Sequence, residues 1–193
     1  MKPIQEHLIE SLFYEVVVTD KEGREIFREA GPSHSYTELW NKVINAHARM
    51  GSNTIKDTGG VDRTVGRSSS NLRANAGVGD VNFGIRVGKG STPVDISDYA
   101  LEAPVAEGTG VDQLSHHEVQ NSQPVVSAPD CSFTIWRVMF NNTGSTVSGI
   151  REIGCYVVIG GYYGLAFRDV LAGPASIPFG GAVTVTYTLK VTA

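Results

Sequence analysis

The chain has 193 residues, 41% of them hydrophobic and 19% charged, with a formal net charge of −4. That length suits one domain, or one with a small appendage, and the apolar content supports a real core and excludes general disorder. The acidic balance leaves no basic field for a phosphate backbone, so nucleic acid is not an expected partner.

The first ten residues carry Lys2, Glu6, His7 and Glu10 with no long apolar run behind them, which argues against a secretory signal. No window approaches the roughly eighteen apolar residues of a membrane span. The expectation is a soluble chain made in the cytoplasm, with no membrane partner.

Leu12 to Thr19, rich in β-branched and aromatic residues, predicts a strand. Asp20-Lys21-Glu22-Gly23 supplies a turn, and Arg24 to Ala30 returns as the second arm of a hairpin. Ser35, with Glu38 three residues on, has the form of a capping box. Tyr36, Leu39, Trp40, Val43, Ile44 and His47 then follow at helical spacing as one apolar stripe, ending at Gly51.

Residues 51–80 change character. They are polar and glycine-rich without a sustained period, and they read as a loop or arm of about thirty residues. A segment of this kind is expected to be ordered by a neighbouring subunit, so deleting 52–79 should impair assembly more than folding.

From Val81 the pattern is of strands and turns. Val81 to Gly88 predicts a strand, Lys89 to Pro93 a loop, and Ser97 to Leu101 a short helical possibility. Val111 to Val119 and Pro124 to Ser127 carry weaker strand signals, whereas Cys131 to Phe140 is strong. A turn over Asn141 to Ser145 leads to Ile150 to Ile159, then to Gly164 to Val170. In the last strand Val183, Val185, Tyr187, Leu189 and Val191 alternate with polar residues, the mark of a sheet with one buried face. The expected fold is mainly β: an antiparallel β-sandwich with an N-terminal hairpin and one amphipathic helix. Residues 1–50 are expected to pack as hairpin and helix on the body, 51–80 to form the loop or arm, and 81–193 to form the body, one structural domain overall.

The chemistry-bearing residues do not assemble into a site. Gly84 to Gly90 lacks the first glycine of a phosphate-binding loop and the hydroxyl after its lysine. His116 and His117 are adjacent, so on a strand they point to opposite faces and cannot converge on one ion. There is no Gly-x-Ser-x-Gly elbow. Cys131 and Cys155 sit in apolar strands and are expected to be reduced; if their strands form a hairpin, Cys155 lies opposite Ile135. No catalytic residue, metal ligand or cofactor is therefore expected. Tyr162 and Tyr163 sit at a glycine-flanked hairpin tip, and aromatics in such a place favour protein contact over sugar stacking. With Arg63, Arg67 and Arg73 they form the candidate interface.

Three runs, Val147 to Tyr156 (VSGIREIGCY), Leu165 to Leu171 (LAFRDVL) and Ile177 to Val191 (IPFGGAVTVTYTLKV), occur in an order that resembles tailed-bacteriophage virion structural proteins. Phe83 to Leu101, with its glycine-rich strand and Asp98-Tyr99-x-Leu101, is similar to the upstream element of the same proteins, and the N-terminal hairpin and helix fit their opening. Cys155 stands where leucine is usual. The resemblance implies a tail, neck, baseplate or capsid-surface subunit that joins copies of itself and other virion proteins, and it implies no catalytic residues. The alternative expectation is a receptor- or glycan-binding β-sandwich module.

Overall fold

The computed structural model describes residues 9–33 and 35–192. The charged N-terminal residues 1–8 lie outside them. Twelve strands and one helix follow in the order β1 (Ile9–Thr19), β2 (Glu25–Ser33), α1 (Glu38–Ala48), β3 (Ser52–Lys56), β4 (Asp62–Gly66), β5 (Gly84–Gly88), β6 (Ser115–His116), β7 (Gln120–Asn121), β8 (Val125–Ser127), β9 (Asp130–Phe140), β10 (Val147–Ile159), β11 (Tyr162–Ile177) and β12 (Ala182–Thr192). The large sheet runs β2-β1-β12-β9, with β6, β7 and β8 in turn along the outer edge of β9. The small sheet is β11-β10-β5, and β3-β4 is a separate hairpin. All named pairings are antiparallel. The expected mainly-β architecture, with its N-terminal hairpin and single helix, is present.

Alternation builds the core. Leu12, Val16 and Val18 of β1, Ile135 and Met139 of β9, and Val183, Val185, Tyr187 and Leu189 of β12 are buried against Ile153, Cys155, Val157 and Ile159 of β10. The opposite face of β10 is covered as well: Tyr156 and Val158 pack with Phe83, Leu101, Val119 and Leu165 in a second cluster. Strand β10 is therefore enclosed on both sides, which its near-continuous apolar run, VVI after Tyr156, foreshadows.

Several local readings change. The helix is capped by Thr37, not Ser35, and Thr37 makes no side-chain capping bond. Ser35 instead shares a hydrogen bond with Ser33 through their hydroxyls (2.6 Å), and its carbonyl accepts from the Arg168 backbone N–H. Residues 35–37 run along β11, bridging Tyr36 to Phe167, and so carry the chain from one sheet to the other. Glu38 receives Lys42 Nζ at 2.6 Å and does not reach back to a cap. Leu39, Val43 and Ala46 form the buried stripe, whereas Ile44 is 43% exposed.

The reading of 51–80 as structureless is corrected. Ser52–Lys56 and Asp62–Gly66 pair around a turn in which Asp57 Oδ1 accepts from the N–H groups of Gly59 (2.9 Å) and Val61 (3.0 Å). Each arm carries one buried apolar side chain, Ile55 and Val65. That is too little periodicity to announce a strand, and it is enough to seat a hairpin once the helix lies over it. Asn53 Nδ2 donates to Lys42 O at 2.6 Å, tying the hairpin to α1. Residues 71–73 then run beside β10, exchanging bonds between Leu72 N and Val158 O and between Val158 N and Arg73 O. Because Ile55, Val65 and Ala76 are core residues, deleting 52–79 is now expected to damage folding itself.

The expected hairpin of the two cysteine strands does not form. Strand β9 lies in the large sheet beside β12, and β10 lies in the small sheet, so Cys155 faces Phe167 and Ile85, while Cys131 faces Val191. Both thiols are free. The connection crosses between sheets, held by buried Asn141, whose Nδ2 donates to Ser145 O (2.8 Å) and Ile177 O (2.7 Å). Of Val111 to Val119 only Ser115–His116 is strand, and Ser97 to Leu101 forms no helix; Asp95 organises a turn there by accepting from Ser97 N at 2.8 Å.

Candidate interaction surface

Residues of the runs Val147 to Tyr156 and Leu165 to Leu171 meet the segment that includes Phe83 to Leu101 at one place on the outer face of the small sheet. Glu152 of β10 is fully buried, and its carboxylate accepts four hydrogen bonds: from Gly90 N (3.0 Å) and Ala103 N (2.7 Å) on Oε1, and from Glu102 N (3.0 Å) and Arg168 Nε (3.0 Å) on Oε2. Arg168 of β11 continues outward, donating to Asp98 Oδ2 at 2.9 Å and to Thr92 O at 3.1 Å. Burial opposes the Arg168 charge, but the bonds to Glu152 and Asp98 outweigh it and hold the guanidinium above its ordinary range. Glu102 gathers the other strand of the loop, accepting from Ser91 N, Thr92 N and Thr92 Oγ1 at 2.7–3.0 Å. Gly90 is required by close approach: a Cβ there would lie 2.5 Å from Glu102 Cβ and 2.6 Å from Glu152 Oε1. The bonds of this knot hold residues 88–103 to the sheet.

The tip of the β10-β11 hairpin is a second feature. Gly160 and Gly161 turn the chain with φ of 56° and 93°, the geometry that matches strand twist in a two-residue hairpin. Tyr162 is 39% exposed, and the Arg63 guanidinium lies 4.4 Å above its ring. Arg63 also donates to Asp57 Oδ2 at 2.7 Å, and this bond holds the Asp57 carboxyl below the usual range. Tyr163 is half-buried and stacks on Phe83 with centroids 5.9 Å apart, and Arg73 covers Phe83 at 5.1 Å. The structure thus brings Tyr162, Tyr163, Arg63 and Arg73 to one end of the hairpin. Arg67 is not among them: it reaches the Met50 sulfur on the helix side.

A third feature was not legible in the sequence. Where the large sheet runs past the small one, two clefts of about 320 and 330 Å³ open side by side, sharing Cys131 and Val191. Trp40, Phe133 and Leu189 wall the first, Val126 and Pro129 the second. Val125 and Val126 of the short edge strand β8 are 62% and 78% exposed beside them. Alternation marks Cys131 and Val191 as inward-facing, but nothing in a strand's own sequence says where the opposing sheet stops.

Titrating groups elsewhere serve packing. His116 is buried and donates from Nδ1 to Glu107 Oε2 at 2.7 Å, leaving Nε2 enclosed without a partner. Burial and the neighbouring Arg137 charge push its pKa down to about 4, so the ring is neutral, with an unprotonated Nε2. His117 points outward and its ring lies 4.8 Å from Phe140. Burial pushes the Cys155 thiol up to about 12, far from a reactive thiolate. Among the described residues no group of three or more His, Cys, Asp or Glu could hold a metal ion, and no helix is long and apolar enough to cross a membrane.

Comparison with protein-family models, with curated proteins and with solved structures finds no match.

Proposed function

We propose that this chain is a non-enzymatic structural subunit of a tailed-phage virion, made in the host cytoplasm and assembling with copies of itself and with other virion proteins. The observation that carries the reading is the meeting of three of its resemblance-bearing segments, around Glu152, Arg168 and Gly90 to Asp98. Glu152, Arg168, Asp98 and Gly90 are far apart in sequence and come together in one knot whose hydrogen-bonding capacity is used for architecture. The positions of these motifs match what the fold needs to hold a loop to a strand, which supports a structural role. The apolar clefts beside β8 and the tyrosine tip supply surface for neighbours, and exposed apolar patches of this kind mark interaction sites. A stable contact needs on the order of 1,600 Å² in total.

Light-scattering mass across rising concentration tests the reading, with co-sedimentation on purified tail, neck and capsid particles as the second arm. Self-association or particle binding is expected. A chain that stays monomeric throughout and binds none of the particles ends the proposal. The glycan-binding alternative draws less support, because Arg63 covers one face of Tyr162 and Phe83 takes one face of Tyr163. Saturable binding on a glycan array would reverse that ranking.

A further inference from the structure

We propose that a cleft of about 320 Å³ on the outer face of the small sheet binds a small organic carboxylate, with Arg86 of β5 as the group that receives the anion.

Arg86 stands apart from the other enclosed cation of this face. Arg168 is met by Glu152 and Asp98, whereas among the described residues no Asp or Glu lines the cleft of Arg86. Its Nη1 donates to Val81 O at 3.1 Å and its Nη2 to Val105 O at 2.9 Å. A guanidinium has five N–H donors, so each terminal nitrogen keeps one, and Nε is enclosed without a partner. Burial lowers its pKa, and the one opposing influence comes from the Tyr156 phenol, whose ring lies 5.8 Å from the guanidinium carbon. A cation held in low dielectric without a counter-charge is stabilised by any anion that can reach it, and a carboxylate matches the paired terminal N–H groups of arginine.

The walls define the rest of the ligand. Leu101 and Pro104 give an apolar side, and Tyr163, backed by Phe83, gives an aromatic one. Asn82 and Thr58 place an amide and a hydroxyl at the cleft. A volume near 300 Å³ is at the small end of ligand pockets, which suits an acid of one ring or a short chain. The cleft is complete within one chain, so its test does not rest on the assembly reading.

The test uses the whole chain, isotope-labelled, with backbone amide shifts of Asn82, Leu101 and Tyr163 followed by NMR. Benzoate is the probe, benzamide its uncharged isostere, and sulfate the control for a general anion hole. Saturable shifts are expected with benzoate, with benzamide and sulfate weaker by about tenfold or more, the scale of a hydrogen bond to a charged group. Arg86→Gln should weaken benzoate by a similar factor, and Arg86→Lys by less. Equal binding of benzamide or of sulfate overturns the proposal, and so does undiminished benzoate binding in a folded Arg86→Gln protein. The benzoate and benzamide pair decides the matter in the unsubstituted chain even where the variant fails to fold; no saturable shift with benzoate there also overturns it.

Discussion

Arg168, on the outer face of the small sheet, and Arg137, between the two sheets, are both enclosed, yet the first is met by carboxylates and the second by carbonyl oxygens. Arg137 of β9 donates to His117 O (2.6 Å), Asp80 O (2.7 Å), Gly77 O (3.1 Å) and Ile85 O (3.1 Å), and so staples the large sheet to β5 and to the 77–80 loop. The Arg168 guanidinium ends above its ordinary range, whereas burial brings Arg137 down to about 10, opposed by the charges of Asp80 and Glu107. Four backbone dipoles satisfy the donors of an arginine without repaying the full cost of taking its charge out of water. The two regions do the same mechanical work, holding glycine-rich loops against strands, by different electrostatics.

The difference can be broken most forcefully at Glu152. Glu152→Ala leaves Arg168 buried without its enclosed carboxylate partner and frees three backbone N–H groups, so a loss of about 3–5 kcal/mol is expected in urea unfolding. The double variant Glu152→Gln/Arg168→Met should lose clearly less than the two single losses summed. Additive losses would mean the pair is not coupled. Arg137→Met removes four bonds but strands no charge, and about 3 kcal/mol is expected, with the double-variant effect absent.

A third way is through pH. His116 has a folded pKa of about 4, below its unfolded value of about 6.5, so the unfolded chain binds the extra proton between those limits. Stability should therefore fall as pH drops from 6.5 to 4, by up to ~3 kcal/mol, and His116→Gln should flatten that part of the curve. An unchanged slope in the variant would remove His116 from the account. Gly90→Ala forces a methyl against Glu102 and Glu152 and should cost about 1–3 kcal/mol. The smallest effect belongs to the solvent-facing pair at the tip: Arg63→Ala should leave the unfolding midpoint unmoved in a thermal melt, and a clear drop would show that the tip is part of the body.

Sequence legibility followed periodicity. The alternation of Val183 to Val191 and the run Leu12 to Thr19 announced two strands that pair with each other over their whole length. The helix stripe was legible, although its cap was misplaced, because Ser35 has a stronger local preference than Thr37 and is drawn instead into bonding with Ser33 beside Asp169. The β3-β4 hairpin escaped notice because one buried residue per arm makes no pattern. Of the five candidate interface residues, four lie together at the hairpin tip, and its two tyrosines were legible because a glycine turn is a local signal. Arg67 was grouped with them by nearness in sequence alone.

By itself the sequence determined that strands of one buried face and a single amphipathic helix would form, because alternation and helical spacing are local properties of side chains and backbone. It determined also the turns at Asp20 to Gly23 and at the paired glycines 160 and 161. Only the tertiary structure decided that β9 and β10 part into different sheets, that Glu152 meets Arg168 while Arg86 meets no acid among the described residues, and that clefts open beside β8. Those outcomes depend on which strands become neighbours. That choice is settled by the packing of the whole core and by the need to satisfy most enclosed charges and carbonyls together.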